Sequence, residues 1–224
     1  MDLPVPYRPG IPIPPGELIF RVSGSPEPKG FHYGGKWTLD MFENALARVG
    51  RTFGDFTDIY DFGCGCGRLT PWLLEAAAQA RLYGSDIDDV AVDWLRRNFP
   101  EGDFRTNQGL PSLPFRNVTF DLVIGYSVFT HLDEEYQDAW LAELHRVTRP
   151  GAILLLTVNL DRAWAYSATR SPAVYEEHMR RLRARITAEG ILYDRADDWG
   201  EHFPDFYHTT WHTSAYIREH WSRW

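Results

Sequence analysis

Three glycines at alternate positions, Gly63, Gly65 and Gly67, stand between an apolar stretch and a helical-looking one, with an acid, Asp61, two positions before the first. Glycine is needed where the backbone must take φ > 0 or where a ligand must come close to the main chain. A helix that follows such a turn offers free N–H groups and a positive dipole end. Residues 59–70 (IYDFGCGCGRLT) therefore read as strand, glycine turn, helix, with a nucleoside-type ligand over the turn; the alternative is an ordinary tight βα turn. A second acid, Asp86, ends the next apolar stretch 19 residues after Gly67. An acid at the tip of the second strand accepts both hydroxyls of a ribose. It also suits a helix cap, although Asp88 is better placed for that.

Three histidines have the chemistry of a general base near neutral pH: His131, His208 and His212. Each has a plainer reading. His131 sits where a helix begins and can bond backbone there. Along residues 207–212, alternation puts Tyr207, Thr209 and Trp211 on one face and His208, Thr210 and His212 on the other. That second face reads as a substrate pocket, as a pair of metal ligands, or as polar packing. No carboxylate or cysteine completes a metal set, so no metal is expected.

The elements that must position these groups alternate strand and helix. Strands are expected at residues 58–62, 81–86, 103–106, 120–126 and 152–158, and helices at 68–80, 90–99 and 134–148. Residues 120–126 are a near-continuous apolar run and 152–158 are apolar again, as strands covered on both faces of a parallel sheet are. Pro71 is tolerated in a first helical turn, and Arg149-Pro150-Gly151 stops the helix before the fifth strand. Upstream, six prolines in residues 1–16 predict an extended arm. Residues 17–22 read as a short strand or its extended continuation, and residues 23–35 as a Gly- and Pro-rich segment. A helix is expected over 38–49. Residues 1–37 carry Leu18, Ile19, Phe20, Phe31, Tyr33 and Trp37, too many apolar groups for a disordered arm, so an ordered lid over the ligand is expected. Downstream, a helix over 172–189 carries Arg180, Arg181, Arg183 and Arg185. Residues 191–195 and 206–211 form a hairpin, and 214–224 is helical.

Composition narrows the function. The 224 residues suit one domain with an elaboration. A net charge of −8 excludes a generic phosphate-tracking surface, so no nucleic acid partner is expected. Cys64 and Cys66 both lie inside the glycine turn and read as small fillers. There is no disulfide framework, no signal peptide and no run of 18 apolar residues. A soluble, cytoplasmic protein without membrane contact is expected.

The glycine spacing separates two nucleotide families. In the dinucleotide fingerprint GxGxxG the third glycine would fall at position 68, which is Arg68. This disfavours a nicotinamide oxidoreductase. The GxGxG turn after Asp61, the acid at Asp86, the segment FDLVIGYSVFTHL (120–132) and the exit RPGAILLLT (149–157) resemble, in that order, the motifs of class I S-adenosylmethionine (SAM) dependent methyltransferases of the small-molecule type. The resemblance covers residues 55–160. It implies an α/β, Rossmann-like, doubly wound and mostly parallel sheet with helices on both faces over residues 38–160. The N-terminal Pro-rich lid (1–37) and a C-terminal α/β substrate or cap region (161–224) would elaborate it.

The resemblance also implies the roles. The turn at Gly63, Gly65 and Gly67 approaches the methionine tail of SAM, with Asp61 near its ammonium. Asp86, and with it Ile87, serves the ribose. Asn107 and Gln108 lie beside the adenine, and Tyr126 and Ser127 face the cofactor or the methyl-transfer space. The expected activity is methyl transfer to an oxygen or nitrogen of a small molecule, a natural product or sugar-type metabolite; the alternative is a SAM- or nucleoside-binding module without catalysis. In the resembled family two more strands normally follow the last helix. Here the hairpin at 191–211 takes their place, or the chain is truncated, or a partner chain covers the edge of the fifth strand, so a homodimer is one expectation.

Overall fold

The computed structural model describes residues 10–160, 172–195 and 203–224. Strand β1 (Asp58–Phe62) is buried at every position, the condition of a central strand in a parallel sheet. It pairs in parallel with β2 (Arg81–Asp86) on one side and β4 (Phe120–Gly125) on the other, and β2 pairs in parallel with β3 (Asp103–Thr106). With β5 (Thr148–Leu156) the five-stranded order is β3-β2-β1-β4-β5. Helices α3 (Thr70–Ala76), α4 (Asp89–Asn98) and α5 (Glu134–Val147) alternate with the strands. This is the Rossmann-like doubly wound arrangement.

Alternation along β1 places Ile59 and Asp61 on one face and Tyr60 and Phe62 on the other. Ile59 joins a core with Phe42, Leu46, Trp72, Leu73, Val92, Leu95 and Leu122. Tyr60 stacks on Phe120 at 4.8 Å, with Phe115 edge-on at 5.5 Å. Both faces are thus covered. At the opposite end of the strand Asp58 is closed off by Arg149 at 2.6 Å and Arg81 at 2.7 Å. Those guanidiniums hold its carboxyl below the usual range even though burial, the largest influence, pushes it up.

The N-terminal segment departs from expectation. Residues 16–23 form helix α1 (Gly16–Ser23), not a strand. Leu18, Ile19 and Val22 share its inner face, Glu17 and Arg21 pair one turn apart at 2.5 Å, and Gly24 at φ 68 closes it through its N–H to Phe20 O. Helix α2 (Pro28–Ala47) begins ten residues before the expected start at Thr38, with Pro28 in its first turn and Glu27 capping it. It runs through Gly30, Gly34 and Gly35 because tertiary packing overrides their low propensity. A Cβ at Gly35 would lie 2.2 Å from Arg68 O. Helix α3 ends at Ala76, short of the expected 80. Strand β5 starts at Thr148, four residues early, and carries Pro150 and Gly151 within it.

Two compact units result, described separately. One takes the chain to Tyr126 and residues Arg146–Leu155. The other takes Ser127–His145 and Leu156–Trp224. It contains β6 (Asn159–Leu160), α6 (Pro172–Glu189), β7 (Ile191–Asp194), β8 (Thr209–His212) and α7 (Ser214–His220). The expected hairpin forms, with Ile191 opposite His212, and β6 adds to it in a separate sheet of order β6-β8-β7. Leu182, Ile186 and Leu192 are buried together, with Trp211 packed against them. No helix among the described residues is long and apolar enough to cross a membrane.

Candidate functional site

The glycine turn is held by the end of β2. Ser85 O accepts the N–H groups of Gly63 at 2.8 Å and Cys64 at 3.0 Å, and Gly67 N–H donates to Cys64 O. Gly63, Gly65 and Gly67 take φ of 75°, 53° and 87°, the left-handed region that favours glycine. Space is also short. A Cβ at Gly65 would stand 2.7 Å from Val22 Cγ2, and one at Gly67 2.5 Å from Leu95 Cδ2.

Helix α1 lies on this turn. Leu18, Ile19, Val22 and Phe31 pack with Cys66, whose thiol reaches Leu18 O at 3.4 Å. Arg21 binds Asp88 at 2.9 Å, tying α1 to the start of α4. Pro12, Pro14 and Phe31 line a cleft with Gly67, Arg68 and Pro71. Burial pushes the Cys64 thiol well up and that of Cys66 up to about 12, so both are inert fillers of the turn.

Asp86 sits at the tip of β2 and is partly exposed. Its Oδ2 accepts Gly65 N–H at 2.8 Å and its Oδ1 accepts Asp88 N–H at 3.0 Å. Burial raises its carboxyl and these N–H groups oppose the rise. Each oxygen keeps a lone pair for a further donor. Asp88, as its position suggested, caps α4 by accepting Val90 N–H and Ala91 N–H.

Asp61 is 2% exposed. Among the described residues no hydrogen-bond donor holds its carboxylate. Burial, then the charge of Asp86, pushes it up to about 7, and Arg68 acts weakly against them. A buried carboxylate in that state favours a cation.

Around these acids Asn107 is buried, receives Ser85 Oγ–H on its Oδ1 at 2.7 Å and donates its Nδ2 to Gln108 O at 2.8 Å. Gln108 and Ile87 are exposed. Tyr126 is half-buried, with the Arg68 guanidinium over its ring at 4.4 Å and Phe42 edge-on at 6.2 Å. Sequence reasoning missed Ser85, Val22 and Arg21. Ser85 had a signal in its place beside Asp86; the other two contacts span 43 and 67 positions and left none.

The remaining candidates lie in the second unit. Ser127 takes φ 62°, uncommon for a residue with a side chain. Its N–H donates to Thr157 Oγ1 at 2.7 Å, and its Oγ lies 3.4 Å from His131 Nε2. His131 stacks on Tyr207 at 4.0 Å, and its carbonyl accepts His208 N–H. Burial pushes its ring down to about 4, so it is neutral at pH 7. His208 meets Tyr193 edge-on. His212 is fully buried and also pushed down to about 4 by burial. Gln137 gives its amide N–H groups to Phe129 O and Leu132 O, so its oxygen accepts and His212 Nε2 donates, at 3.0 Å. Thr210 and His212 share the buried face of β8 as alternation predicts. No group of three metal-ligating side chains occurs among the described residues.

Comparison with known proteins bears on the first unit above all. Residues 59–151 match the family described as a methyltransferase domain. A probable S-adenosylmethionine-dependent methyltransferase of Mycolicibacterium smegmatis is 30% identical over 132 residues, 59% of this chain and 49% of that protein. A malonyl-[acyl-carrier protein] O-methyltransferase of Hahella chejuensis is 32% identical over 141 residues, 57% of this chain and 50% of that protein. A solved plantazolicin methyltransferase, in complex with a monoazolic desmethylPZN analog and SAH, aligns with a TM-score of 0.48 at 13% identity, covering 80% of this chain and 75% of its own. The chain spans about half the length of the curated relatives it matches. Residues 59–151 are thus similar to a methyltransferase domain, and the curated relatives that share this stretch are described as methyltransferases.

Proposed function

We propose that the protein binds SAM at the glycine turn and transfers its methyl group to an oxygen or nitrogen atom of a small molecule. The observation that carries this reading is Asp61: a carboxylate 2% exposed and without a donor among the described residues, beside the glycine turn, where a cationic amino-acid tail supplies the missing partner. Asp86 fits the same ligand, since both of its oxygens are oriented by backbone N–H groups and retain capacity for two vicinal hydroxyls. Asn107 and Gln108 offer amide and backbone groups to the base. When bound, SAM supplies an electrophilic methyl on a sulfonium, and the protein's task is then chiefly alignment.

Tyr126, with Ser127 next in the chain, is assigned to the methyl-transfer side. We assign His131 as the base for an acceptor that must lose a proton. Its ring is neutral at pH 7 and oriented by Tyr207, whereas His212 Nε2 is committed to Gln137. His208 is given a pocket role. One relative named above is a malonyl-[acyl-carrier protein] O-methyltransferase, which adds acyl carriers to the panel of acceptors worth trying.

The test is incubation with SAM and a panel of natural products, sugars and acyl carriers, read by mass spectrometry for methylated product and S-adenosylhomocysteine. Binding of SAM without product on any acceptor would favour the non-catalytic module. If His131→Asn lowers turnover while leaving S-adenosylhomocysteine affinity unchanged, the base assignment stands; equal turnover in that variant removes it.

A further inference from the structure

Two acids reach the ligand side of the turn from adjacent strands. Asp61 lies opposite Gly84 in the β1–β2 register, two residues before Asp86. They are not equivalent. Asp86 receives Gly65 N–H and Asp88 N–H, donors that stabilise its charge. Asp61 receives no hydrogen bond among the described residues and is 2% exposed. Two neighbouring buried carboxylates resist ionising together, and the one with donors keeps the charge. We propose that Asp61 carries a proton in the free protein and releases it to solvent when the ammonium of the cofactor binds, so that pH sets cofactor affinity across the neutral range. This rests on the reading of the turn as a SAM site.

Among the described residues no other group takes the proton. From β2 the facing charge is Asp86; the residue of β4 opposite Asp61 is the apolar Ile124. From the turn, the thiols of Cys64 and Cys66 are pushed up by burial and stay neutral. Tyr60 points to the other face of β1 and bonds Ser85. Among the described residues the cation acting on Asp61 is Arg68, whose guanidinium lies over Tyr126. The turn cannot open to hydrate the carboxylate without breaking its bonds to Ser85 O.

With Asp61 pushed up to about 7, it is about nine-tenths protonated at pH 6 and about one-tenth at pH 8. A ligand that needs the charged form binds about tenfold more weakly at pH 6. Calorimetric titration with S-adenosylhomocysteine, in buffers of different ionisation enthalpy, reads this directly. The expected result is close to one proton released per ligand at pH 6, almost none at pH 8, and affinity about tenfold higher at pH 8. Adenosine, which lacks the ammonium, should bind with no such dependence. Asp61→Asn, which keeps the shape of the neutral acid, should fold, bind S-adenosylhomocysteine more weakly and show equal affinity at the two pH values. Equal affinity and no proton release in the unaltered protein, or the same pH dependence with adenosine, would overturn the proposal. No S-adenosylhomocysteine binding at any pH would instead overturn the SAM site itself.

Discussion

Two neighbouring glycines of α2 should respond with opposite sign to the same substitution. Both lie inside the helix, where replacing glycine by alanine gains about 0.5–1 kcal/mol of backbone entropy. At Gly34 a Cβ meets nothing within 4 Å, so Gly34→Ala should stabilise by about that amount. At Gly35 a Cβ would lie 2.2 Å from Arg68 O and 2.7 Å from Trp72 Nε1. The first is backbone and the second belongs to a fully buried ring, so neither gives way cheaply. Forcing atoms into such a contact costs about 1–3 kcal/mol or more, which exceeds the entropic gain. Both variants share the entropic gain, so they should differ by the clash alone, about 1–3 kcal/mol, or about 2–12 °C in Tm for a chain of this size. Urea denaturation of both variants, followed side by side, measures the difference. The Arg68 carbonyl sits at the end of the glycine turn, so Gly35→Ala should also weaken S-adenosylhomocysteine binding while Gly34→Ala leaves it unchanged. If the two variants are equally stable, α2 does not lie against the turn as described.

The acids and the buried histidines give further outcomes. Asp86→Ala removes the acceptor for Gly65 N–H and, on the proposed ribose role, two charge-assisted bonds to the ligand, each worth about 1.5–3 kcal/mol; affinity for S-adenosylhomocysteine should fall about 100-fold or more, and unchanged affinity would dismiss the ribose role. Asp88→Ala should cost about 1 kcal/mol of stability through the lost cap of α4, with thermal denaturation as the check. His131 and His212 are pushed down by burial to about 4. The unfolded chain therefore takes up protons below about pH 6.5 that the folded one refuses, and each ring costs up to about 3 kcal/mol of stability as pH falls from 6.5 to 4. His212→Gln should flatten that acid limb in urea titrations at pH 7, 5.5 and 4.5; an identical slope would show that the ring is not buried neutral.

The parts of this molecule that sequence made legible are those whose cause is local. Strand β2 and its terminal Asp86, the cap at Asp88, the near-continuous apolar strand β4 and the hairpin of β7 and β8 each follow from neighbours within a few positions. Helix α1 and the first ten residues of α2 were not legible, since Gly30, Gly34 and Gly35 speak against a helix. At Gly35 the reason is a close approach to Arg68, 33 positions away. The same distant packing complicates the glycine turn. Gly65 and Gly67 resemble a ligand-approach motif, yet their faces are filled by Val22 and Leu95, so close packing of α1 and α4 would require glycine there even without a ligand. The positive φ values fit a plain tight turn equally well. Asp61 does not yield to that account. Packing explains a missing Cβ, but it gives no reason to place a carboxylate at 2% exposure with no donor among the described residues, next to a second acid. Such a group costs several kcal/mol if charged and unpaired, and neither a tight turn nor a helix contact needs it. A cationic ligand does, and this makes the acid before the glycines, more than the glycines themselves, the residue on which the SAM reading depends.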